Sequence, residues 1–125
     1  DFFDSLLDYL SIQPPEDARR VGRSYAPFLR GDTPAWRDRL YFEYAYVRAV
    51  RTGNLKYIER AEGYPGELYD IEADPGETRN AIADAAYATR LAALREDLAQ
   101  FFRTSGAPPL SQWRSTTRQT LSWER

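Results

Sequence analysis

Residues 40–70 read LYFEYAYVRAVRTGNLKYIERAEGYPGELYD, and the reading of this stretch decides the fold. Leu40–Glu43 and Arg48–Arg51 are rich in aromatic and β-branched residues and alternate in character, the pattern of half-buried strands. Leu55–Glu59 repeats the pattern, and Glu67–Asp70 is a short fourth candidate. Between the second and third runs lies Thr52-Gly53-Asn54-Leu55. Gly and Asn tolerate the positive φ angles of a tight two-residue turn, so the spacing predicts a hairpin. A sheet this small must bury one face against something. The one long amphipathic helix follows it directly.

That helix is predicted over Tyr87–Phe102. Tyr87, Leu91, Leu94, Leu98 and Phe101 step by four, three, four and three, which puts them on one stripe. Ala88, Ala92, Ala93 and Ala99 add helix propensity. Gly106 stops the helix, and Pro108-Pro109 follow. Between sheet and helix, Asp74-Pro75-Gly76-Glu77 is a turn with a mechanism, since Pro presets φ and Gly takes the strained position. Glu67, Asp70, Glu72, Asp74 and Glu77 make this region acidic, but they do not fall in the register of a calcium-binding loop. A solvated acidic turn is expected, and no metal site.

Upstream, Asp1–Ile12 is a helix candidate with Phe2, Phe3, Leu6, Leu7, Tyr9 and Leu10 on a broad apolar face and Asp1 as its cap. Gln13-Pro14-Pro15 ends it. Ser24–Leu29 reads as one helical turn with Ser24 as cap, Pro27 in the first turn and Gly31 as stop. Trp36 reads as a packing anchor. The fold class expected is α+β: a small four-stranded antiparallel sheet packed against one long C-terminal helix, with a short N-terminal helix. Residues 1–35 form an N-terminal helix and linker, 36–106 the sheet-plus-helix unit and 107–125 a tail. Leu110, Trp113 and Trp123 are odd in a free tail. Either they pack on the body or on something outside the chain, or the terminus is partly disordered.

The 125 residues carry a net charge of −2, with no Cys and no His. There is no clustered basic excess, so a nucleic-acid partner is not expected. No apolar run reaches the ~20 residues of a membrane span, so no membrane partner is expected either. Asp1-Phe2-Phe3-Asp4 lacks the basic start of a signal peptide. Without Cys or His, thiol nucleophiles, imidazole bases and thiolate or imidazole metal sites are excluded. No compact motif of paired carboxylates, Tyr or Ser-Lys replaces them. The chain alone is not expected to catalyse.

Several stretches, in order, resemble the C-terminal part of the sulfatase family within the alkaline-phosphatase-like superfamily. Asp1-Phe2-Phe3-Asp4-Ser5-Leu6-Leu7-Asp8-Tyr9-Leu10 is similar to "D-x-x-P-T-L-L-D-x-A-G", with Asp4 where Pro is usual and Ser5 for Thr. Residues 22–31, GRSYAPFLRG, are similar to "G-x-S-L-x-P-L-L-x-G". Trp36-Arg37-Asp38 and Tyr41-Phe42-Glu43 resemble the approach to the family's first C-terminal strand. Residues 48–58, RAVRTGNLKYI, are similar to "R-A-V-R-T-x-x-x-K-Y-I". Residues 67–80, ELYDIEADPGETRN, are similar to "E-L-Y-D-L-x-x-D-P-x-E-x-x-N". The resemblance covers residues 1 to about 102.

The resemblance implies a parent hydrolase of sulfuric esters, with a larger N-terminal α/β domain. That domain carries a formylglycine nucleophile, made within a C/S-x-P-x-R motif, and carboxylates for a divalent metal, usually calcium. This chain has neither, so it resembles the C-terminal subdomain only, inactive alone, whose partner is the catalytic domain. An exposed junction surface would also favour a homo-oligomer. Some sulfatases carry a substrate-proximal His in a "W-E-H-x-G-N-R-A-V-R" setting. Here residues 42–51 read FEYAYVRAVR, with Tyr44 at the His position and Tyr46-Val47 for Gly-Asn. Tyr44, Tyr46 and Arg48 are therefore the candidate substrate-binding residues. In the other reading the two tyrosines are sheet aromatics at the domain junction. Arg48 and Arg51 point to opposite sheet faces, so at most one can face a cleft. Lys56 is expected in a solvent-facing or junction role. The competing function is a free-standing carbohydrate- or anion-binding module using Tyr44, Tyr46 and Trp36.

Overall fold

The computed structural model describes residues 1–16, 18, 20–61 and 63–110. Trp113 and Trp123 of the tail lie outside the described residues. The chain divides into two compact units, Asp1–Arg37 and Asp38–Arg125. Its elements in order are α1 (Phe2–Tyr9), α2 (Ala26–Leu29), β1 (Leu40–Tyr44), β2 (Val47–Arg51), β3 (Leu55–Arg60), β4 (Glu67–Asp70), a 3-10 turn over Ala85–Tyr87, and α3 (Ala88–Ser105). No helix among the described residues is long and apolar enough to cross a membrane.

In the second unit the strands form one antiparallel meander in the order β1-β2-β3-β4. Tyr41 pairs with Val50, Val50 with Tyr57 and Tyr57 with Leu68, so one row of the ladder points to one face. That face and α3 make the core: Val50, Leu55, Tyr57 and Leu68 meet Leu91, Leu94, Leu98 and Phe102. The expected sheet-and-helix sandwich is therefore the structure. Two details differ. The last turn of the stripe is wider than expected: Phe102 is buried in the core, and Phe101, partly buried, packs against it. Phe101 stacks flat on Tyr41, ring centres 3.8 Å apart. The helix also runs three residues further than expected, to Ser105. Gly106 ends it in the left-handed conformation at φ 73°.

The turns are made by unexpected means. Neither Gly53 nor Asn54 has a positive φ. The β2–β3 turn is closed by Thr52, whose backbone N–H donates to Leu55 O at 2.8 Å and whose Oγ1 accepts from Leu55 N at 3.2 Å. The side chain does the work expected of left-handed backbone. The β1–β2 turn is Ala45-Tyr46, and Ala45 takes φ 48°, a conformation non-glycine residues seldom adopt. The outer margin of β4 is covered in chain: Asn80 Oδ1 accepts from Leu68 N at 3.0 Å, and Ala81 N donates to Leu68 O at 2.8 Å.

The first unit is held by polar contacts. Ser5 Oγ donates to Asp1 O at 2.7 Å and accepts from Tyr25 N at 2.8 Å. Ser24 Oγ donates to Asp8 Oδ2 at 2.6 Å and accepts from Ala26 N at 3.1 Å. Arg20 Nη1 donates to Asp4 Oδ1 at 2.9 Å. The Asp1 carboxylate does not cap α1, because it is taken by Arg23 N and the Arg37 guanidinium. The buried side of α1 is Asp4 and Ser5, and Phe2, Phe3, Leu6, Tyr9 and Leu10 are exposed. The apolar face expected from periodicity exists, and its large side chains are left exposed.

Candidate functional site

The sheet places the end of β1 beside the end of β3, since Val47 pairs with both Tyr44 and Arg60. Tyr44 is 84% exposed at the strand end, and Tyr46 follows on the turn that Ala45 bends. Tyr46 O accepts from Ala61 N at 2.9 Å, and Ala61 O accepts from Tyr64 N at 3.2 Å. Ala61 is almost completely buried, so these two backbone bonds tie Tyr64 to the β1–β2 turn. Tyr44, Ala45, Tyr46, Val47, Arg60 and Tyr64 line a groove of about 410 Å³. That size lies within the ~300–1,000 Å³ usual for small-molecule sites.

Arg60 forms one wall. Its Nε donates to Glu67 Oε1 at 2.9 Å and its Nη2 reaches the same oxygen. Tyr69 Oη donates to Glu67 Oε2 at 2.9 Å. Burial pushes the Glu67 carboxyl up, but the hydrogen bonds from Arg60 and Tyr69 outweigh it and hold the group below its ordinary value. Tyr69 is raised in turn, first by its hydrogen bond to Glu67. The wall is thus a paired charge whose orientation is fixed by both partners.

Of the three residues singled out in the sequence, the structure brings Tyr44 and Tyr46 together and places Arg48 elsewhere. Arg48 lies on the helix side of the sheet and is 6% exposed. Its Nε donates to Glu43 Oε1 at 2.9 Å, its Nη2 donates to Pro108 O at 2.6 Å, and its guanidinium sits 4.1 Å over the Phe102 ring. It lines a separate groove with Phe102, Ala107 and Leu110, and fastens β1 and the segment after α3 to the core. Arg51 is exposed on the opposite face. Trp36 belongs to the first unit, edge-on to Phe28 at 5.2 Å and under Arg23. Lys56 pairs with Glu77 beside the Tyr69 ring.

Tyr64 and Arg60 were not among the residues the sequence singled out. The signal was present in the hairpin arithmetic: pairing strands back from Gly53-Asn54 sets residue 60 opposite 47, next to the Tyr44–Tyr46 turn. No group of three or more His, Cys, Asp or Glu among the described residues could hold a metal ion. The acidic turn is internally spent. Asp74 accepts from Thr78 N and Arg79 N, each at 2.8 Å, and is held below the usual carboxylate range chiefly by the Arg79 N–H. Asp70 is likewise lowered, first by Ala73 N–H and then by Tyr87 Oη. Around the groove the structure sets three tyrosines and an arginine paired with the Glu67 carboxylate.

Comparisons with known proteins bear on the family and the fold. Residues 1–104 match the family model for the C-terminal region of N-sulphoglucosamine sulphohydrolase. The Delta 4,5-hexuronate-2-O-sulfatase of Bacteroides thetaiotaomicron is 36% identical over 114 residues, covering 84% of this chain and 23% of the relative. The N-acetylglucosamine-6-O-sulfatase of the same organism is 33% identical over 103 residues, covering 72% of this chain and 18% of the relative. The crystal structure of a phosphonate monoester hydrolase from Agrobacterium radiobacter superposes with a TM-score of 0.72 at 28% identity, over 84% of this chain and 24% of that one. The chain thus spans about a quarter or less of the length of the proteins it matches. With four ordered sequence motifs, the sheet-and-helix unit and a family match over residues 1–104, the chain belongs to the N-sulphoglucosamine sulphohydrolase C-terminal family, the C-terminal domain of sulfatases.

Proposed function

We propose that this chain is the C-terminal subdomain of a sulfuric ester hydrolase and that the reacting groups lie on a larger N-terminal domain. The observation that carries the reading is the chemical emptiness of the chain beside its relatives' length: no Cys, no His, no C/S-x-P-x-R, and about a quarter of a sulfatase. Formylglycine and a divalent metal, calcium by this reading, belong to that other domain, since the described residues offer no donor set that fits a metal. The uncovered faces support the same partner. In the first unit α1 turns Phe2, Phe3 and Leu6 outward. In the second unit the sheet face away from α3 exposes Leu40 and Phe42. Apolar surface of this extent marks an interaction site. In the absence of the larger domain, the same faces are where two copies would meet.

In this arrangement Tyr44 and Tyr46 line the substrate cleft, and Arg48 holds the strand that carries them. The test is an aryl-sulfate assay on the full-length protein and on this chain alone. Sulfate release is expected from the full-length protein and none above buffer from the chain. Metal-dependent turnover by the chain, or an inactive full-length protein, would overturn the reading.

A further inference from the structure

We infer that Tyr64, with Tyr44 and Tyr46, forms an aromatic clamp for a sugar ring next to the sulfated one, so that this subdomain sets a preference for oligosaccharides over monosaccharides. The inference deepens the proposed function and rests on it for the identity of the ligand.

Three observations carry it. First, three tyrosines converge on one groove from two separate loops, and two of them are 84% and 65% exposed. Tyrosines left that open present ring surface on which a ligand can stack. A pyranose offers what they need, an apolar C–H face for the rings and hydroxyls for the phenols. Second, the backbone that carries the tyrosines is tied together. Ala61 links the two segments by its N–H and its C=O, and Ala45 holds a φ of 48° that turns the Tyr44–Tyr46 segment back on itself. Backbone already gathered lowers the ordering cost of binding to that of the tyrosine side chains. Third, Arg60 stands at the groove with Nε and Nη2 committed to Glu67. Among the described residues its Nη1 has no such commitment, and it suits a carboxylate or sulfate oxygen of a neighbouring sugar. Two of the curated relatives are named for a sulfated hexuronate and a sulfated N-acetylglucosamine, both sugars. Pyranose chemistry is the occupant that fits both the groove and these neighbours.

The experiment is calorimetric titration of the full-length protein with a sulfated hexuronate–glucosamine tetrasaccharide and with N-acetylglucosamine 6-sulfate. Tyr64→Ala is expected to weaken the tetrasaccharide about five- to tenfold, the range of one lost aromatic contact, with a much smaller effect on the monosaccharide. Tyr64→Phe is expected to keep most of the affinity, since the ring remains. Equal affinity of wild type and Tyr64→Ala for the tetrasaccharide would overturn the inference. So would equal losses on both ligands, or a loss that Tyr64→Phe does not restore. If the tyrosines face the other domain instead, Tyr64→Ala lowers the melting temperature and leaves both affinities unchanged, which also overturns it. Failure of the proposed function reads differently: no sulfate is released from an aryl sulfate, while saccharide binding and its dependence on Tyr64 remain.

Discussion

The guanidinium of Arg48 lies where a core side chain would, pinned between Glu43, the Pro108 carbonyl and the Phe102 ring. A cation so enclosed is stable only while its partners stay in place. Arg48→Ala leaves Glu43 and the Pro108 carbonyl without their donor, and its expected cost is about 2–3 kcal/mol, discounted because Glu43 is partly open to water. Arg48→Lys keeps the charge but cannot reach both oxygens at once, and recovery of less than half that loss is expected. Urea unfolding of the three proteins measures it; a Lys variant as stable as wild type would mean that charge alone matters. A similar economy acts in the first unit. A Cβ on Gly22 would fall 1.9 Å from Asp4 Oδ2, and Ser24 binds Asp8. The two sequence motifs around Asp4–Asp8 and Gly22–Ser24 are thus the two sides of one contact. Spacing alone did not reveal this, because the residues that meet are polar and sixteen or more positions apart.

Strands and α3 were legible because each is amphipathic with its own period, and the core they share satisfies both patterns. The turns were less so. The Gly53-Asn54 pair pointed to the right place by the wrong backbone, since Thr52 supplied the closing bond. Ala45 gave no compositional warning of its positive φ. Helix α1 shows the other limit: periodicity located its apolar face but could not say that the face is left exposed. Of the candidate site, Tyr44 and Tyr46 were visible through a resemblance, whereas Tyr64 comes into reach only through Ala61 backbone bonds. In α3, Leu98 is 1% exposed and touches the sheet residues of the core. Leu98→Ala is expected to cost about 2–5 kcal/mol, and Gln100→Ala, on the exposed side, within about 0.5 kcal/mol. Thermal unfolding separates them; equal melting temperatures would mean that α3 does not hold the sheet.

Titration ties the parts of the protein to pH. Asp8, lowered first by the Ser24 hydroxyl, and Asp70, Asp74 and Glu67 all have folded-state values below their ordinary ones. Each adds stability that is present above its unfolded value and is lost as pH falls through the folded one. Tyr69 and Tyr87 are raised by their hydrogen bonds to Glu67 and Asp70. They add stability that is present below the unfolded value of 10.0 and is lost as pH climbs through the folded one. Denaturation midpoints are therefore expected to be level between about pH 5 and 9, and to decline on both sides. Asp70→Asn and Glu67→Gln should each blunt the acid and the alkaline decline together, because each pair of shifts shares one bond; a decline on one side alone would break that link.

The outward aromatic side of α1 has a consequence for how the protein is made. On the proposed arrangement its cover is translated earlier from the same message and is already folded when Phe2, Phe3 and Leu6 leave the ribosome. The two surfaces are then produced in equal number and in the right order. A product lacking that upstream cover would carry the aromatic side of α1 bare, the kind of surface that drives self-association.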